Sequence, residues 1–162
     1  MQVTFVRTRG QRDRIHVHRD DGGEVGWEFP TYGHMLPHDL VHLVVEAGLG
    51  LDGIWARVAA GADLGRMMQQ ANRRGGRDKF APLGEPAGLL LAEALANQRW
   101  LDGDFDGDAV LATGAAAAAG IGRKLPAAAT VAAVAAVRLR LQQLHAQWRA
   151  IGSKGAVTLT YP

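Results

Sequence analysis

The chain has 162 residues, of which 48% are hydrophobic and 21% are charged, and its formal net charge is +2. These values are typical of one globular domain that is long enough to bury a core, so we interpret residues 1–162 as a single domain. The chain contains no cysteine, which excludes a disulfide framework and a thiolate zinc site. The sequence has no apolar leader and no run of about 18 apolar residues, which predicts a cytoplasmic protein without a membrane partner.

Four segments alternate apolar and polar side chains, as half-buried strands do. Three of them lie near the N-terminus, around Val3–Arg9, Arg14–His18 and Val25–Phe29, and the fourth covers residues 157–161. The pattern predicts an α+β fold, in which a four-stranded, mainly antiparallel sheet is covered by a helical layer. His16 and His18 share one strand face and are a second candidate metal pair, although we expect that face to point to solvent.

The segment Leu36–Gly48, LPHDLVHLVVEAG, predicts the central helix of the fold. Its polar side chains are His38, Asp39, His42 and Glu46, and between Leu36 and Leu51 it has no Lys, Arg, Gln or Ser. Such a helix is expected to be buried. Buried imidazole and carboxylate groups need partners, and a divalent metal ion is one such partner.

The spacing of the two histidines carries the metal hypothesis. His38 and His42 are one helical turn apart, so both rings can reach one ion, and His34 in the preceding loop is the nearest candidate for a third ligand. Glu46 lies about 12 Å along the helix from His38 and is expected to orient His42 instead. The alternative is a structural helix whose polar groups bond to neighbouring backbone.

The pentad His38-Asp39-Leu40-Val41-His42 resembles the H-E-x-x-H motif of the zincin metalloproteases, with Asp in place of Glu. The resemblance implies that His38 and His42 bind zinc and that Asp39 is the general base, a role for which Glu46 is a second candidate. The doublet His38-Asp39 is also similar to that of the HD phosphohydrolases. That family is all-helical, whereas this chain opens with strands. As a whole, the chain resembles small bacterial α+β proteins, which implies no function.

Shorter helices are predicted around residues 53–60, 62–72, 86–101 and 109–119, and a long helix from Pro126 to Ala150. Apolar residues of the long helix repeat every three or four positions, which predicts packing on the sheet and the central helix, with a homodimer as the alternative. Asp102–Asp108 resembles the first half of an EF-hand loop, but Thr113 stands where calcium binding requires Glu. Asp106 or Asp108 is then expected to cap the following helix.

Three classes of function follow from these patterns. The first is a metal-binding protein, with a zinc-dependent hydrolase of a small-molecule or peptide substrate as its specific form. The second is a non-catalytic binding or regulatory protein in which the same helix is only core. The third is a phosphate- or nucleic-acid-binding protein that uses two basic clusters, although no recognition motif accompanies them. The clusters are Arg7, Arg9, Arg12 and Arg14, and Arg66, Arg73, Arg74, Arg77 and Lys79.

Overall fold

The computed structural model of the chain describes residues 1–8, 10–66 and 86–162. Its strands are β1 (Gln2–Val6), β2 (Arg12–His18), β3 (Glu24–Pro30) and β4 (Ala156–Thr160). They form one antiparallel sheet in the order β3-β2-β1-β4, so the first and last strands of the chain are neighbours. The predicted α+β fold, with three N-terminal strands and one C-terminal strand in a single sheet, is confirmed.

The sheet has one buried and one open face because its side chains alternate. Val3 and Phe5 of β1 and Ile15 and Val17 of β2 are at most 2% exposed and form part of the core. The side chains between them in sequence point to the other face. His16 and His18 are exposed there, as expected from the strand periodicity.

Helices pack on the buried face of the sheet. They are α1 (His38–Leu49), α2 (Ile54–Ala59), α3 (Pro86–Ala96), α4 (Gly107–Gly120) and α5 (Val131–Ala150). Helix α1 contacts α2, α3 and α5, and most of its side chains are buried. The predicted central helix is therefore the one that three of the other four described helices contact.

The two ends of α1 differ in how well the sequence predicted them. Asp39 lies within the first turn, whereas Pro37, which the sequence places in that turn, directly precedes it as the N-cap. The prediction that Gly48 ends the helix is wrong, because the helix continues to Leu49 and Gly50 adopts the left-handed conformation that ends it. Gly48 instead lies where α1 meets α5, and a Cβ atom at this position would stand 2.3 Å from Val137 Cγ2.

Helix α5 begins at Val131, five residues later than predicted, because the Thr130 hydroxyl caps it by accepting a hydrogen bond from the Ala133 amide. The predicted apolar stripe is buried, with Leu141, Leu144 and Trp148 fully inaccessible. In the described part of the chain, no helix combines the length and apolar character that a membrane crossing requires.

Candidate metal centre

Three side chains from two helices bring their ligand atoms together beside the N-terminal half of α1. They are His38 and His42 of α1 and Glu93 of α3, and one ligand atom from each lies within 4.8 Å of the others. The two imidazole rings stand edge to face, with centroids 4.7 Å apart and planes at 89°. The i, i+4 spacing on α1 therefore produces the convergence of rings that the sequence predicted.

His42 lies between two carboxylates. Its Nδ1 atom is 2.9 Å from Glu46 Oε1, and its Nε2 atom is 3.0 Å from Glu93 Oε2. The other oxygen of Glu93 is 3.5 Å from His38 Nε2. The Nε2 atoms of both histidines therefore face the same carboxylate, while the opposite nitrogen of His42 is held by Glu46.

Glu46 is fully buried and accepts hydrogen bonds from the start of α2. The amides of Ile54 and Trp55 donate to its two oxygens at 3.1 and 2.9 Å. Gly53 makes this contact possible, since a Cβ atom there would lie 2.2 Å from the Glu46 carboxyl carbon. With two amide donors fixed on the carboxylate, its third partner is the His42 Nδ1–H group, and this leaves Nε2 as the nitrogen available to an ion.

The charges around His42 raise its pKa. Burial is the largest influence and lowers the pKa, but the hydrogen bond and charge of Glu46, together with those of Glu93, outweigh it. The pKa of Glu93 is lowered: burial opposes the shift, and the hydrogen bond from Asn97 and the charges of His42 and His38 outweigh burial. Asn97 Nδ2 donates to Glu93 Oε1 at 2.7 Å, which steadies this carboxylate beside the two rings.

Two other residues predicted for the site lie outside this group. The Asp39 carboxylate accepts a hydrogen bond from Trp27 Nε1 at 3.2 Å, on the side of α1 that faces the sheet. His34 is exposed, and its backbone carbonyl is 3.2 Å from Nε2 of His145 on α5. Among the described residues, neither His34 nor His145 belongs to the group of converging ligand atoms.

Glu93 is the site residue that the sequence analysis did not identify. Its side chain is 53% exposed, yet its carboxylate turns towards the two histidines. The signal that could have found it is its isolation, because it is the only charged residue in the helix PAGLLLAEALA. A single carboxylate on an otherwise apolar helix is a candidate ligand for a histidine pair on the neighbouring helix.

The other predicted binding segments have ordinary structural roles where the structure describes them. Asp106 caps α4 by accepting from the amides of Asp108 and Ala109, which is the alternative to calcium binding. Arg12 and Arg14 both pair with the Glu28 carboxylate. Arg9 and the mid-chain residues Arg73, Arg74, Arg77 and Lys79 lie outside the described residues.

No protein-family model, no curated protein and no solved structure matches the chain. The zinc-binding role that the zincin motif implies for residues 38–42 therefore stays a prediction. The case for a function rests on the geometry of the site.

Proposed function

We propose that this protein binds a divalent transition-metal ion, with zinc as the first candidate, through His38, His42 and Glu93. The observation that carries the proposal is the convergence of these three ligand atoms within 4.8 Å. Two imidazoles and one carboxylate form a ligand set of catalytic zinc sites, in which the fourth position is left to water or substrate. The set replaces the predicted third ligand His34 with Glu93.

The spacing of the donor atoms is compatible with one ion. Zinc–nitrogen and zinc–oxygen bonds of about 2.1 Å in a tetrahedral site place neighbouring donors about 3.4 Å apart. Glu93 oxygens lie 3.0 Å from Nε2 of His42 and 3.5 Å from Nε2 of His38. Coordination thus requires small rotations of side chains that already face one another.

The formal charges also favour a divalent cation. When both imidazoles are neutral, Glu46 and Glu93 leave two negative charges around them, and an ion of charge two balances these. Uncompensated charge near a buried group is costly, so the ion would replace the proton that His42 otherwise holds between the two carboxylates. In this proposal Glu46 orients His42 and does not bind the metal.

The proposal extends to hydrolysis of a small-molecule or peptide substrate. His38 and Glu93 are partly exposed, with side chains 36% and 53% accessible, so the site is open to solvent on their side. A bound zinc ion supplies a water of lowered pKa, which is the nucleophile of zinc hydrolases. Asp39 stays the sequence-predicted candidate for the base, and its contact with Trp27 means that this role requires a change of rotamer.

The test is zinc titration of chelator-treated protein by calorimetry, with metal content measured after dialysis. Glu93→Gln keeps the size of a half-exposed side chain and removes a charged ligand, so we expect zinc affinity to fall by about 100-fold or more. The matched control is the double variant His16→Ala and His18→Ala, which removes two exposed histidines from the sheet. We expect it to bind one equivalent of zinc as the wild type does.

The result that would overturn the proposal is equally direct. Zinc binding that survives Glu93→Gln unchanged, or that disappears in the His16 and His18 variant, places the ion elsewhere. A wild-type chain that retains no zinc, cobalt or manganese after dialysis favours the structural alternative, in which the helix is only core.

A further inference from the structure

One edge of the sheet, strand β4, lies beside an apolar groove. Among the strands that the structure describes, β4 pairs only with β1, so no described strand lies along its outer side. The amide of Tyr161 donates to the carbonyl of Met1, which makes this residue pair a hydrogen-bonded one. Because such pairs alternate along an antiparallel ladder, Val157 and Leu159 also bond to β1, whereas the backbone groups of Ala156, Thr158 and Thr160 point outward.

The groove has a volume of about 560 Å³ and runs between this edge and two helices. Its walls are mostly small and apolar, and they consist of Leu43, Val44 and Ala47 of α1 and Ala133, Ala136 and Val137 of α5. A strand added to β4 would lie about 4.8 Å from it, with every second side chain pointing to the helical side. Those side chains would enter the groove, where the alanines leave room for them.

The rim of the groove carries one positive charge. Arg140 of α5 lines the groove, is exposed, and belongs to none of the ion pairs formed within the described part of the chain. A cation that no described carboxylate pairs with, next to a strand edge that no described strand covers, favours an occupant that brings a carboxylate.

We propose that β4 and this groove bind an extended peptide segment of another protein by strand addition, with small apolar side chains at alternate positions and an acidic group near Arg140. Main-chain hydrogen bonds to the edge supply affinity in this mode, and the groove selects the alternate side chains. A second copy of β4 does not meet this requirement, because its own inward-facing Val157 and Leu159 are only 2% and 6% exposed and fill its own core. The site uses none of the metal ligands, so it is independent of the proposed metal centre.

In the experiment, the whole chain is the target against which a phage-displayed library of peptides of about seven residues is selected. The selected peptides are then measured on variants by fluorescence anisotropy. Thr158→Pro removes an outward-facing amide donor while leaving the β1–β4 ladder intact, since proline is tolerated where the N–H group faces solvent. We expect it to weaken binding by about tenfold or more. Thr158→Val retains the amide and is the matched control, and it loses the same contact between hydroxyl groups of Thr158 and Thr4.

Two further measurements fix the chemistry of the occupant. The selected peptides should alternate small apolar residues with polar ones and carry an acidic residue. Their affinity should fall in Arg140→Glu and stay unchanged in Arg140→Lys. The proposal is overturned if no selected peptide is sensitive to Thr158→Pro. It is also overturned if light scattering shows a dimer that Thr158→Pro converts to a monomer, because the occupant is then a second copy.

Discussion

Glu46 and Glu93 both contact His42, yet we expect the loss of Glu46 to affect mainly stability and the loss of Glu93 to affect mainly zinc affinity. Glu46→Gln replaces a fully buried acceptor of three donors with an amide that has one acceptor oxygen and a donor group. At least one of the Ile54, Trp55 and His42 donors then loses its acceptor and faces an NH₂ group. A buried hydrogen bond to a charged group that is lost in this way costs about 1.5–3 kcal/mol.

From these contacts we expect Glu46→Gln to lower the free energy of unfolding by about 3 kcal/mol in metal-free protein. Glu93→Gln should cost less than about 1 kcal/mol, because the side chain is half exposed and such ion pairs contribute little. For zinc affinity the order is reversed: the loss of Glu93 removes a ligand, whereas the loss of Glu46 only disturbs the orientation of His42 and weakens binding by about 10- to 100-fold.

The assay is urea unfolding of chelator-treated protein, followed by tryptophan fluorescence, together with zinc calorimetry at one pH. Equal unfolding free energies for Glu46→Gln and Glu93→Gln would refute the assignment of Glu46 as the buried anchor of His42. Equal zinc affinities for the two variants would refute the division between ligand and orienting residue.

Three further predictions concern the fold around the site. Gly48→Ala should lower the unfolding free energy by about 1–3 kcal/mol in urea melts, since its Cβ atom would meet Val137 at 2.3 Å. The loss should be smaller when Gly48→Ala is introduced into a Val137→Ala background. It should be absent in Gly120→Ala, where the space is open. Burial, with the charges of Glu46 and Asp52, raises the pKa of Tyr161 to about 12 from 10.0, so the native state should lose stability as the pH rises from 10 through 12. That loss, followed by thermal melts, should be smaller in Tyr161→Phe. Asp106→Ala should lower the unfolding free energy by about 1 kcal/mol through loss of the α4 cap, and calcium should leave the wild-type melting midpoint unchanged.

The sequence predicted most of the fold because the signals for it are local. Strand alternation identified the β1, β2, β3 and β4 segments, and the near absence of polar residues identified α1 as the central helix. The start of α5 was predicted too early because Thr130 caps the helix locally, whereas the error at Gly48 came from a contact with another element. The residues around Gly48 cannot show that Val137 of α5 packs against it and leaves no room for a Cβ atom, so the glycine was interpreted as a helix end.

The same limit applies to the candidate site. Spacing on one helix was enough to bring His38 and His42 together and to link Glu46 to His42. The proposed third ligand, Glu93, is 51 positions further along the chain than His42. Helical periodicity places Glu93 on a face of its own helix, but how α3 packs on α1 decides which histidines that face meets.

The unequal exposure of the two carboxylates has a kinetic consequence. Glu46 contacts His42 from the interior and is fully buried, whereas Glu93 approaches the rings from the solvent side with a side chain that is 53% exposed. We therefore expect Glu93 to be the last group to engage an arriving ion and the first to release a departing one. Release of an ion from the proposed centre would then begin at Glu93, and the hydrogen bond that Asn97 donates to its carboxylate would oppose that step.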